Sequence, residues 1–217
     1  MIVNIISLIK GVIPMKTKKI LLSFLISGLC LFTTINVQAA HFNYRLNGGV
    51  GDYGNNTRYY YISNPGGVAQ GYVGAFDTAM TKWVNSNGGL TYTPISYAKT
   101  NIQKNSVLDV YYDNFGNTGY FGVTIYMLYQ TQLVSDGAAP NQNWGWNKIK
   151  MNSYHDAGDQ PFYVSSQGSV GEHVASHEIG HCFGLAHNSD STSVMYNSWP
   201  QVIAPNKADL DEVTAIY

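Results

Sequence analysis

The residues with the most chemical potential lie in one run, Ser169-Val-Gly-Glu-His-Val-Ala-Ser-His-Glu-Ile-Gly-His-Cys-Phe-Gly-Leu-Ala-His187. Ser169 and Glu172 have the S-x-x-E spacing of a capping box, which marks a helix start. Inside that helix His177 and His181 stand at i and i+4, so both imidazoles leave one face about a turn apart, a bite suited to a single metal ion. Glu178, rotated about 100° around the axis from His177, falls beside such an ion and not on it, where a general base for water belongs. Gly184 can take positive φ, end the helix and turn the chain back, returning His187 to the same metal. Three neutral imidazoles keep the full charge on zinc and leave a fourth position open, as in catalytic zinc sites.

The elements that must position these groups are legible to different degrees. His41 to Tyr60 is rich in Gly and Asn and reads as an irregular lead-in. Tyr59–Ile62 is aromatic and β-branched, hence a first strand. Between Gly67 and Asn85, apolar residues at Val68, Tyr72, Ala75, Phe76, Ala79, Met80, Trp83 and Val84 recur at helical spacing, and Asn85 to Gly89 stops the run. Further strands are expected at Leu90–Ile95, Val107–Tyr112, Tyr120–Leu128 and Trp146–Asn152. Gly48-Gly49-Val50-Gly51-Asp52 echoes a calcium-binding Gly-Asp repeat, but one copy lacks the stacked neighbours such a site needs. It is expected to be a turn, and calcium has no support.

Composition sets the outer bounds. The 217 residues carry 12 Lys+Arg against 13 Asp+Glu, with 45% hydrophobic residues and 17 Tyr, which opposes disorder and leaves no basic excess for nucleic acid. From Met15, three lysines (Lys16, Lys18, Lys19) precede an apolar core, Ile20–Phe32, and small residues Val37 and Ala39 sit where a signal peptidase requires them. Residues 15–39 are therefore expected to be a secretory signal cleaved after Ala39. Its core is too short for a spanning helix, so no membrane anchor is expected to remain. Residues 1–14 look like an extension upstream of the true start at Met15. Cleavage removes Lys10, Lys16, Lys18 and Lys19 and no acid, leaving 8 basic and 13 acidic residues, a net charge of −5 over 40–217. That span is long enough for one domain with its own core. It keeps one thiol, Cys182, so no internal disulfide can form.

The stretch His177-Glu-Ile-Gly-His-Cys-Phe-Gly-Leu-Ala-His187 resembles the long zinc-binding consensus of the metzincin metallopeptidases, and Ser193-Val194-Met195-Tyr196 resembles their Met-turn. Among metzincins the chain is most similar to a small bacterial matrixin: Tyr follows the Met, and Ala208-Asp-Leu-Asp-Glu-Val-Thr-Ala-Ile-Tyr217 resembles the helix that closes matrixin catalytic domains. The resemblance implies an α+β metzincin fold, with a twisted five-stranded mixed sheet, two long helices including the active-site helix, the Met-turn and a C-terminal helix. It implies that Met195 forms an apolar floor under the imidazoles and that an extended peptide adds to an edge strand at Tyr120–Tyr126; the nearby aromatics Tyr196 and Trp199 read equally well as pocket lining or as packing residues. Asn188 and Asn197 stand where matrixins usually have Ser and Pro. A second, structural zinc would have only His155, Asp156 and Asp159 to draw on, and His155 reads better as a loop residue. No prosegment Cys precedes the first strand; Asp52 or His41 are the only ligands a short masking segment could offer.

Two neighbours of the motif have simpler readings. His173 shares the face of His177 but is not needed as a ligand, so it is expected to face solvent or support the site. Cys182 points off the ligand face and reads as a small buried packing residue. The sequence as a whole indicates a secreted, monomeric zinc endopeptidase acting on extended polypeptides of extracellular proteins, with Glu178 as the base. Two alternatives stay open: a non-proteolytic binding protein on the same scaffold, against which the intact Glu178 argues, and a zinc hydrolase of cell-wall peptides.

Overall fold

A computed structural model describes residues 40–63, 70–154, 170–198 and 202–217. The expected signal, Ser169, His155, Asp156, Asp159 and Trp199 lie outside the described residues.

Alternation and helical periodicity each build one layer. The strands are β1 (Arg58–Ile62), β2 (Tyr97–Lys99), β3 (Leu108–Asp113), β4 (Gly122–Leu128), β5 (Thr131–Gln132) and β6 (Trp146–Asn152), in the spatial order β2-β1-β3-β6-β4-β5. The first four in that order run parallel, and β4 is antiparallel to β6 over Gly122↔Met151 to Met127↔Trp146. Among the described residues the helices of ten residues or more are α1 (Gln70–Val84), α2 (Val170–Cys182) and α3 (Lys207–Ile216). In α1 the expected stripe of Tyr72, Phe76, Ala79, Met80 and Trp83 is buried at 2% exposure or less. It packs with Ile179 and Phe183 against Leu108, Val110, Ile149 and Met151 of the sheet. Each large side chain so buried contributes about 1.5–3 kcal/mol relative to exposure. The Trp83 indole N–H donates to the Ser176 carbonyl at 3.0 Å, tying α1 to α2. Cys182 is buried in this core, as expected.

Among the described residues the sheet has six strands where five were expected, and one expected strand is misplaced. Leu90–Ile95 is irregular and the ladder begins two residues later, at Tyr97. Pro94 has no N–H for a ladder, and its carbonyl accepts from Tyr53 N, while Ser96 N donates to Val50 O. The backbone of this stretch is thus spent on the lead-in. That lead-in does turn on its glycines: Gly51 has φ 131°, and a Cβ there would stand 2.4 Å from Ser96 N. The sixth strand, β5, is two residues long and pairs only with Met127 and Leu128. Among the described residues no helix is long and apolar enough to cross a membrane.

Candidate metal centre

Helix α2 lies beneath the sheet with nearly every residue buried, but His177 and His181 reach a cleft of about 340 Å³. After α2, Gly184 takes φ 97° and the chain doubles back, with Gly184 N donating to His181 O and Leu185 N to Gly180 O. This turn delivers His187. The Nε2 atoms of His177 and His181 lie 3.0 and 3.1 Å from Nε2 of His187, and the three histidines are the only group of metal-ligating side chains so clustered among the described residues.

The donor chemistry fits a metal. His177 Nδ1 stands 2.7 Å from the Val194 carbonyl and His181 Nδ1 stands 2.8 Å from the Leu185 carbonyl. A carbonyl can be satisfied there only by an N–H, so these rings carry their proton on Nδ1 and present Nε2 lone pairs to the centre. Burial holds His177 and His187 below the usual imidazole range and His181 well below it, with neighbouring imidazoles adding to the effect at His181 and His187. Neutral rings with converging lone pairs repel unless a cation lies between them. The three rings therefore fit a metal ion such as zinc, which His177, His181 and His187 would hold.

Glu178 sits beside the triad, buried at 6% exposure. Burial pushes its carboxyl up to about 7, against the opposing pull of the Thr124 hydroxyl, which donates to Oε2 at 2.7 Å. Below the rings, Met195 is fully buried, and its Sδ would stand 2.3 Å from any Cβ at position 180, so only Gly180 lets α2 close on this floor. The turn bearing Met195 is pinned by Asp209 of α3. The Asp209 carboxylate accepts from Ser193 Oγ at 2.5 Å, Val194 N at 3.1 Å and Asn206 N at 3.0 Å. Asn206 in turn caps α3 by accepting from Asp209 N. Asn188 contributes as well, donating through Nδ2 to Ser193 Oγ.

Of the expected site residues, His177, Glu178, His181, His187 and Tyr196 all line the one cleft, with Met195 beneath. His173 is not solvent-facing: it is buried, its Nδ1 donates to Val202 O at 2.6 Å, and its ring centroid is 6.1 Å from that of His177. Glu172 of the expected capping box pairs with Lys82 of α1. His41 meets Glu212 of α3, and Asp52 lines a separate cavity beside Arg45 and Tyr217. Sequence reasoning missed Thr124, Gly122, Gly180, Asp209 and Phe42, whose ring lies 5.9 Å from that of His181, inclined by 27°. Only Asp209 had a usable signal, the N-cap spacing Asn206-x-x-Asp209.

The open wall of the cleft is β4. Phe121 O accepts from Asn152 N and Met127 O from Gly145 N, so by alternation the backbone groups of Gly122 and Thr124 point away from β6. The pairing with β5 starts at Tyr126, whose carbonyl accepts from Leu133 N, so among the described residues no strand pairs with the outer side of Gly122 to Thr124, within the expected Tyr120–Tyr126 segment.

Neutral nitrogen ligands converging beside a buried carboxylate, along a strand edge without a partner among the described residues, fit a hydrolase site of the metal-dependent class. A family model of the matrixins, a peptidase family, matches residues 68–217, and the chain belongs to this family of zinc metallopeptidases. Comparison with curated proteins gave no match.

Proposed function

We propose that the protein is a secreted, monomeric zinc endopeptidase that cleaves extended segments of extracellular proteins, with His177, His181 and His187 holding the metal and Glu178 as general base. The observation that carries this reading is the meeting of three Nε2 atoms beside the Glu178 carboxylate, along a strand edge without a partner among the described residues. Secretion rests on the signal-like residues 15–39.

Bound zinc would supply Lewis acidity, polarising a carbonyl and acidifying water. Glu178 accepts the proton from the attacking water and passes it to the leaving amine. The outward N–H and C=O groups of Gly122 and Thr124 hold the substrate backbone as an added strand, and side chains from the cleft walls, Tyr196 and Phe42 among them, set what fits. Neutral, carbonyl-anchored His177 and His181 keep their lone pairs aimed without rearrangement.

Zinc content and casein cleavage, measured on wild type and Glu178→Ala, test this. Bound zinc with cleavage by the wild type alone is expected; bound zinc with no cleavage by the wild type of casein or of a peptide library overturns the endopeptidase reading.

A further inference from the structure

The side chains of β4 and α2 meet in register. Two residues along a strand advance about 6.8 Å and four along a helix about 6.0 Å, so Gly122 and Thr124 fall opposite Val174, Glu178 and Cys182. A Cβ on Gly122 would stand 2.5 Å from Val174 Cγ1 and 3.2 Å from Glu178 Oε1. The strand therefore approaches the helix closely only because position 122 has no side chain. One step along, Thr124 is buried at 5% exposure, and its hydroxyl lies 2.7 Å from Glu178 Oε2, 2.9 Å from Glu178 O and 3.9 Å from Cys182 Sγ.

A hydroxyl has one proton to donate. The Glu178 carbonyl already serves the helix, and sulfur is a weak acceptor at that distance, so the carboxylate oxygen takes it. The two carboxylate oxygens are thereby made unequal. The Thr124 hydroxyl occupies Oε2, and the Thr124 backbone N–H adds to its pull on the same carboxylate, while Oε1 lies over the space that Gly122 leaves free.

We infer that Thr124 is a positioning residue for the hydrolytic reaction: it fixes the rotation of the Glu178 carboxylate and directs the transferred proton to Oε1. This rests on the reading of Glu178 as the base. In the transfer, a water O–H bond breaks, its electron pair stays on the water oxygen, and the proton bonds to Oε1. The water oxygen uses that pair to bond to the scissile carbonyl carbon, whose C=O π pair moves onto the carbonyl oxygen. As the C=O bond re-forms, the C–N bond breaks with its pair on nitrogen, and the Oε1–H bond breaks as its proton joins that leaving amine nitrogen. Throughout, Thr124 keeps donating to Oε2, so the carboxyl need not turn between the two steps. The same residue offers its backbone to the cleft and its side chain to Glu178, and so ties the register of a bound strand to the position of the base.

The test uses Thr124→Val, which keeps the shape but loses the donor, Thr124→Ala, which loses both, and Thr124→Ser, which keeps the donor. Steady-state kinetics on a peptide substrate, zinc affinity by chelator competition and thermal melting are measured for each full-length protein. The expected result is a kcat lowered roughly tenfold or more in the Val and Ala variants, with KM and zinc affinity within about twofold of wild type and kcat within about threefold in the Ser variant. Wild-type kcat in Thr124→Val, or a Ser variant as impaired as the Val variant, overturns the inference. Full activity in Glu178→Gln would instead remove the reading on which it rests.

Discussion

His177 and His181 enter the cleft from a helix buried on its flanks, whereas His187 enters from a glycine-initiated loop and is exposed. The two helical ligands are each fixed by an Nδ1–H to a backbone carbonyl, one from the Met195 turn and one from the loop itself. The loop depends on borrowed backbone partners: Phe42 N donates to Gly184 O, Ala186 N to Ala40 O, and Asn188 N to Met195 O. The difference separates two jobs. The helix fixes where a metal would sit, and the loop, held by the lead-in and the Met195 turn, would close the proposed ligand set from the solvent side.

The comparison can be broken by substitutions on either side. The largest effect belongs to the helix: Glu178→Ala should retain zinc and lower kcat on the order of 10²–10⁴-fold, as read by metal analysis and peptide kinetics. Next come the two glycines. Gly180→Ala should destabilise by about 1–3 kcal/mol through overpacking against Met195, and Gly184→Ala by about 1–2 kcal/mol because φ 97° is foreign to L side chains. Both are measurable by urea unfolding, and only the second should loosen zinc by releasing His187.

In chelator-treated protein the two kinds of ligand should part company. His181→Ala leaves the Leu185 carbonyl without its donor and should cost about 1–3 kcal/mol, while His187→Ala, exposed, should stay within about 0.5 kcal/mol of wild type. Equal losses in thermal melting would show that the loop is as rigidly built as the helix.

The smallest effect is pH-dependent. Burial raises the Asp209 carboxyl above its ordinary range, despite three donors that pull the other way. A raised folded pKa means that the folded state holds this proton more tightly than the unfolded chain, so the associated stability is present at low pH and is lost as pH rises through the folded value. The stability margin of wild type over Asp209→Asn should therefore be widest in acid and narrow toward neutrality, as followed by melting across pH.

Much of the fold was legible where one element could be read without its neighbours. The stripe on α1 and the alternation of Trp146–Asn152 gave elements within a few residues of those found. Leu90–Ile95 misled because its apolar and β-branched residues suit a strand, while Pro94 and the lead-in had already claimed its backbone. His173 was ambiguous for a related reason: helical spacing assigns a face, but whether that face meets solvent depends on Val202, far along the chain.

The sequence by itself determined the proposed ligand set and base, because His177, Glu178, His181, Gly184 and His187 are related by helix pitch and one turn, both local properties. The tertiary structure alone decided what surrounds them. Thr124 reaches Glu178 across 54 residues of chain, Met195 fits against Gly180, Asp209 grips the Met195 turn, and the outer side of β4 from Gly122 to Thr124 meets no strand among the described residues. None of these has a spacing to be read, since each depends on which surfaces the hydrophobic core brings together, and a hydroxyl or a missing Cβ acquires its role only at the distance that packing sets.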